Sequence, residues 1–200
     1  MDSSADICNV FENKVSFTDE FEVNGLRFLF KPLESYEEYL EVRPLVETLS
    51  QCPITHCRQY VDVMLRLPSY YPFLVCLVDD SSGRKRNDDT AASSSCDGPA
   101  PASGPDSSPA TSHIVGYIEV YMMPHLGRLF DSRFERIIVD PKYRNMGVCQ
   151  KMVATAIHFC RSVLRCNRID MICNNPVAIH VYEKFGFELV KTNTYRKTLI

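Results

Sequence analysis

Residues Phe134 to Ala156 read FERIIVDPKYRNMGVCQKMVATA, and the order of residue types in this stretch decides the fold. Ile137, Ile138 and Val139 make an apolar strand that Asp140-Pro141 stops. A short basic loop, Lys142, Tyr143 and Arg144, leads through Gly147 into a segment that sets Val148, Met152, Ala156, Phe159 and Val163 on one helical stripe. Such a unit presents free backbone N–H groups at a helix N-terminus, where the aligned peptide dipoles favour an anion. The anion this reading assigns is the pyrophosphate of a coenzyme. Gly147 permits positive φ or close backbone approach, so the N–H groups from about Met146 to Gln150 can point at phosphate oxygens. Arg144 adds a charge-assisted donor.

Downstream, Arg168 to Cys173 (RIDMIC) reads as a strand that follows a helix and so lies parallel to the strand at Ile137. Asn174-Asn175-Pro176 then opens a helix from about Val177 to Lys184, Gly186 in Phe185-Gly186-Phe187 caps it with both phenylalanines in the core, and LVKTNTYRKTL gives a last strand. Upstream, His113 to Met123 (HIVGYIEVYMM) alternates Val115, Tyr117, Glu119 and Tyr121 against Ile114, Gly116, Ile118 and Val120. It forms a hairpin with the strand RFERIIV. Residues 81–112 are rich in Ser, Pro, Ala, Gly and Asp and read as a disordered, low-complexity insertion in a hairpin loop. Before them come a strand at LRFLFKPL, a helix capped by Ser35 with Glu38 closing a capping box and Pro44 breaking or bending it, a second helix at THCRQYVDVMLRL, and a short buried strand at FLVCLVDD. Residues 1–24 read as a flexible arm, leaving one domain over 25–200.

With 45% hydrophobic residues in 200, the chain can build a sizeable core without a disulfide or metal framework. A formal charge of -3 gives no general pull toward nucleic acid. No apolar run approaches the roughly 18 residues of a membrane span, and MDSSADICNVFENK lacks the order of a secretory signal, so a cytoplasmic location is expected. The nine cysteines include no CxxC pair, and Cys52, His56 and Cys57 lack a second ligand pair, so no metal is expected.

Two local signatures carry a resemblance. Arg144-Asn145-Met146-Gly147-Val148-Cys149 follows a strand ending in Val-Asp-Pro, and Asn175 to Phe187 (NPVAIHVYEKFGF) has the spacing N-x-x-A-x-x-x-Y-x-x-x-G-F. Together with the element order they resemble the GNAT superfamily of acyl-CoA N-acyltransferases, over roughly residues 26–198. The resemblance implies an α/β (α+β) fold with a mixed central sheet of about six strands flanked by about four helices. It implies acetyl-CoA as acetyl donor, held by Ile137, Ile138, Val139, Arg144, Asn145, Met146, Gly147, Val148, Cys149, Gln150, Asn175, Tyr182 and Lys184. It also implies that Tyr182 acts as the acid toward the departing sulfur. Cys149 stands where the family has glycine or alanine; a thiolate favoured by the helix N-terminus and an inert packing residue are both open.

Within the superfamily the chain resembles the glucosamine 6-phosphate N-acetyltransferases through Leu49-Ser50-Gln51, His125, Arg133-Phe134-Glu135 and Tyr182 to Phe187. Arg136 stands where that group carries aspartate, and Cys52-Pro53-Ile54-Thr55 replaces its glycine-rich turn. The resemblance implies an amino-sugar phosphate acceptor, a homodimer, and acceptor contacts from His125, Glu135, Arg136, Arg168, Arg196 and Lys197, with Arg128 as a further candidate. Glu135 would orient the amine or accept its proton through water. Transfer would be direct, because no nucleophile-elbow or Cys-His pattern is present for an acyl-enzyme. Acetylation of a protein or polyamine amine, and coenzyme binding without turnover, are the alternatives.

Overall fold

The computed structural model describes residues 13–49, 54–78, 113–191 and 197. Its centre is a sheet in the order β1 (Asp19–Val23), β2 (Leu26–Pro32), β3 (Tyr70–Val78), β4 (His113–Met123), β5 (Asp131–Val139) and β6 (Arg168–Met171). Every neighbouring pair is antiparallel except β5 and β6, which are parallel. Among the described residues four α-helices accompany it: α1 (Tyr36–Glu47), α2 (Arg58–Arg66), α3 (Val148–His158) and α4 (Pro176–Glu183). This is the GNAT acyl-CoA N-acyltransferase fold.

The expected arm at residues 1–24 is corrected within its described part. Asp19–Val23 is the edge strand β1, joined to β2 by Asn24-Gly25, both at positive φ (53° and 76°). That is the two-residue turn whose twist matches a hairpin, and asparagine-glycine is its preferred sequence. Phe17 anchors the preceding segment, with ring centroids 6.2 Å from Phe30, 6.3 Å from Phe73 and 5.1 Å from Phe159. These ring contacts dock the segment on the aromatic core.

Both sheet faces are covered. On one, Val148, Met152, Ala156 and Phe159 pack against Phe30, Phe73, Ile118 and Phe134. On the other, Val42 and Val46 of α1 pack on Leu74, Tyr117 and Ile138. The uniform alternation expected along β4 fails at its start. An extra residue, Val115, stands between the pairs Val75–Gly116 and Cys76–Ile114, so Val115 joins the face of Ile118 and Val120 while Ile114 joins that of Tyr117. A second bulge lies in β5: Glu119 opposes Glu135 and Tyr117 opposes Ile138, with Arg136 at φ 51° in between.

Local chemistry explains the helix ends. Ser35 Oγ accepts from Glu38 N at 3.1 Å, while the Glu38 carboxylate accepts from Glu34 N at 2.8 Å. α1 runs through Pro44 rather than breaking there. α3 passes at Phe159–Val163 into a π-helical turn, closed by Leu164 N donating to Phe159 O at 3.1 Å. At the end of α4, Gly186 at φ 81° lets Phe187 N reach Tyr182 O at 3.2 Å, the expected left-handed cap. Phe187 packs against the core, but Phe185 is exposed, contrary to expectation, because the cap turns it outward. Residues 187–191 form no strand, and most of the expected last strand lies outside the described residues, as does 81–112.

Candidate active site

The parallel pair β5–β6 closes only from Asp131–Arg168 to Phe134–Met171. β5 continues to Val139, and among the described residues Glu135 to Val139 have no strand partner on the β6 side. The two strands part there, leaving the edge of β5 around Ile137 and Ile138 open toward β6.

The loop after β5 lies at the mouth of this split. Asn145 and Gly147 both have positive φ (61° and 103°), so the chain curls before α3. The first bond inside α3 is Lys151 N to Gly147 O, at 3.1 Å. The preceding N–H groups, those of Val148, Cys149 and Gln150, therefore face out of the helix N-terminus. Such a concave run of amides is built for anionic oxygens. Arg144 folds back, its Nε donating to Val139 O at 2.9 Å and tying loop to strand. The residues present thus fit a coenzyme pyrophosphate.

α4 supplies the other wall. Asn175 Oδ1 accepts from Val177 N at 3.1 Å, which makes Asn175 the helix cap, while Lys184 closes the far end. Tyr182 is buried at 7% exposure, its ring 6.0 Å from Phe187. Burial, with the Cys149 and Cys173 thiols nearby, pushes its phenol well above the usual tyrosine value. The phenol therefore keeps its proton at neutral pH. Burial also pushes the Cys149 thiol up, and Cys149 packs against the core. Of its two open roles, the packing residue is the one the structure supports, since desolvation disfavours the thiolate.

A cavity of about 360 Å³ opens between α1, α2 and the sheet. Its helical walls include Tyr39, Val42, Arg43, Val46, Tyr60, Val61 and Met64; Tyr70, Tyr117, Glu119, Tyr121 and Arg136 line the sheet side. Glu119 is 7% exposed. Its Oε1 accepts from Tyr117 Oη at 2.8 Å and its Oε2 from Tyr121 Oη at 2.9 Å, and Arg136 Nε lies 3.5 Å from Oε1. Tyr70 Oη extends the chain, 3.4 Å from Tyr117 Oη. Burial, reinforced by the Glu119 charge, holds the phenols of Tyr70, Tyr117 and Tyr121 protonated well above their ordinary range.

Glu119 is the residue that sequence reading passed over. The available signal was a carboxylate between tyrosines at two-residue spacing in an otherwise apolar strand. Glu135, the expected amine-facing carboxylate, pairs with Arg133 Nε at 2.5 Å and does not line the cavity. Arg136 does line it. His125, Arg128 and Arg168 do meet, but around a carboxylate: Asp131 Oδ2 lies 3.0, 2.8 and 2.8 Å from their nitrogens, and Asp131 is fully buried. Lys197 is exposed, and Arg196 lies outside the described residues. Among the described residues, no helix is long and apolar enough to cross a membrane.

The acetyltransferase (GNAT) family model matches residues 97–187. The L-amino acid N-acetyltransferase AaaT of Escherichia coli (strain K12) is 34% identical over 83 residues, which are 40% of this chain and 49% of that protein. The chain thus spans about half the length of the curated relative it matches. Two solved structures share the fold. An acetyltransferase of Trypanosoma brucei superposes with a TM-score of 0.60 at 17% identity, over 86% of this chain and 99% of that one. Glucosamine-6-phosphate N-acetyltransferase from Arabidopsis thaliana gives 0.57 at 15%, over 86% and 99%. The segment that matches the acetyltransferase (GNAT) family model runs through the glycine loop and the Tyr182 helix, on a sheet whose fold the two solved acetyltransferases share.

Proposed function

We propose that this protein transfers the acetyl group of acetyl-CoA to the primary amine of a small acceptor, directly and without an acyl-enzyme. The observation that carries this reading is the opening of β5 from β6 beside the curled Asn145–Gly147 loop, with a carboxylate-floored cavity on the α1–α2 face of the sheet. When bound, acetyl-CoA supplies an activated thioester. The amides at the start of α3 hold its pyrophosphate, and the open edge at Ile137 to Val139 supplies a backbone N–H to the acetyl carbonyl. The amine enters from the cavity, where Glu119 orients it and accepts its proton directly or through water. The new N–C bond forms as the C–S bond breaks, and Tyr182 Oη gives its proton to the departing thiolate sulfur.

The more specific reading is an amino-sugar phosphate acceptor, glucosamine 6-phosphate, in a homodimer. Its supports are the Arabidopsis thaliana neighbour, the tyrosine-lined cavity and the basic group at His125, Arg128 and Arg168. A sugar amine loses its proton more readily than a lysine, which suits a site whose carboxylate is held by three donors. The test is release of coenzyme thiol from acetyl-CoA, first across a panel of primary amines and then with glucosamine 6-phosphate. Release with no amine in the panel would overturn the transferase reading. Release with others but not with the sugar phosphate would overturn only the specific one.

A further inference from the structure

The floor of the cavity carries opposite charges side by side, and the charged residue of its helical walls, Arg43, is paired along α1 with Glu47 at 2.8 Å. Glu119 on β4 and Arg136 on β5 face each other at 3.5 Å on adjacent strands. Arg136 reaches the cavity because its backbone sits at φ 51° in the β5 bulge; regular alternation after Glu135 would turn it to the α3 face. A side chain other than glycine held at positive φ in a strand is strained, and strain of this kind collects where a side chain must be aimed. Above the pair stand Val42, Val46, Val61 and Met64, with the rings of Tyr39 and Tyr60. Tyr39 Oη is engaged by His56 N at 3.1 Å, and the Tyr60 ring stacks on His56 at 4.1 Å, so these rings present largely apolar surface inward.

We infer that the acceptor is a free α-amino acid with a large apolar side chain, its ammonium read by Glu119, its carboxylate by Arg136 and its side chain by the α1–α2 wall. This rests on the acetyltransferase reading and names the acceptor for the same site. An α-amino acid carries its two charges about as close together as the floor does. Exchange of the Glu119–Arg136 contact for contacts to the acceptor leaves no buried charge unpaired. A planar guanidinium also matches a carboxylate in two parallel hydrogen bonds, which an amine lacking that carboxylate forgoes.

The experiment uses the full chain with acetyl-CoA and follows coenzyme thiol release. Acceptors are L-methionine, L-leucine and L-phenylalanine, the amines left when each loses its carboxylate, and glucosamine 6-phosphate. The expected result is kcat/KM about tenfold or more higher for each amino acid than for its amine. In Arg136→Met that ratio should collapse toward one, chiefly through a raised KM for the amino acids. Arg136→Gly, which suits the positive φ, provides the same readout if the methionine variant fails to fold, and the wild-type panel decides without either. Equal kcat/KM for amino acids and amines, or a preference for glucosamine 6-phosphate, would overturn this acceptor while leaving the transferase reading standing. Thiol release with none of these amines would overturn both.

Discussion

Arg136 Nε stands 3.5 Å from Glu119 Oε1, although the chain order puts a bulge and a strand turn between them. Of the two opposed carboxylates, Glu119 lines the cavity and Glu135 does not. Glu135, one residue before Arg136, is drawn aside by Arg133, whereas Glu119 is held in the cavity by two phenols and a guanidinium.

Replacing Glu119 with glutamine keeps the volume and removes the negative charge. Turnover should fall about 10²-fold or more, the usual worth of a positioned proton acceptor. Coenzyme affinity measured by calorimetry should stay within about threefold, because Glu119 is remote from the α3 amides. Turnover within threefold of wild type would take the carboxylate out of the chemistry.

Tyr182→Phe should lower kcat about tenfold or more and leave coenzyme affinity nearly unchanged. The pH profile adds an independent check. Because burial raises the Tyr182 pKa above its ordinary 10.0, the phenol keeps its proton through the neutral and mildly alkaline range. The rate should therefore climb as the acceptor amine deprotonates, with no descending limb from Tyr182 below about pH 10. The linkage to stability has the matching sign. A raised folded-state pKa favours the native state below pH 10, and that contribution is lost as pH rises through the folded value. A descending limb near pH 8 that disappears in the phenylalanine variant would contradict this assignment.

Gly147→Ala tests the loop. The added methyl would meet Val23 Cγ1 at 3.7 Å and Gln150 Oε1 at 4.0 Å, which is ordinary contact. Crowding is thus not the difficulty; φ of 103° is, costing an L-residue about 1–2 kcal/mol. Relaxation of the loop would turn the α3 amides away, and the coenzyme Kd should rise about tenfold, as loss of roughly 1.4 kcal/mol dictates. Unaltered affinity by calorimetry would argue that these amides do not hold the pyrophosphate.

Phe17→Ala separates a docked segment from a free arm. Truncating a half-buried ring among Phe30, Phe73 and Phe159 should cost about 2 kcal/mol, below the range for a fully buried phenylalanine. Urea denaturation would show it as a lower midpoint with an unchanged slope. No shift of the midpoint would mean that Phe17 contributes nothing to the core.

Much of the fold could be read from residues alone because its signals are local. Ile137 to Val139, the Asp140-Pro141 stop and Gly147 specify strand, loop and helix by propensity and backbone freedom, and Gly186 ends α4 as its φ requires. Asn24-Gly25 was an equally local signal for the β1–β2 hairpin, hidden by the polar residues before it. The cavity had no such signal. Its floor is made by two strands whose side chains meet only after pairing, and alternation, the tool that assigns faces, fails at both bulges.

The amino-acid sequence by itself determined the order of elements, the glycine-curled loop and the placement of Tyr182 on its helix, because each depends on neighbours within a few residues. Tertiary structure decided which carboxylate lines the cavity, that Arg136 turns inward, and that His125, Arg128 and Arg168 gather on Asp131. Those outcomes depend on strand register and on charges brought together from distant parts of the chain, and no short-range preference encodes them.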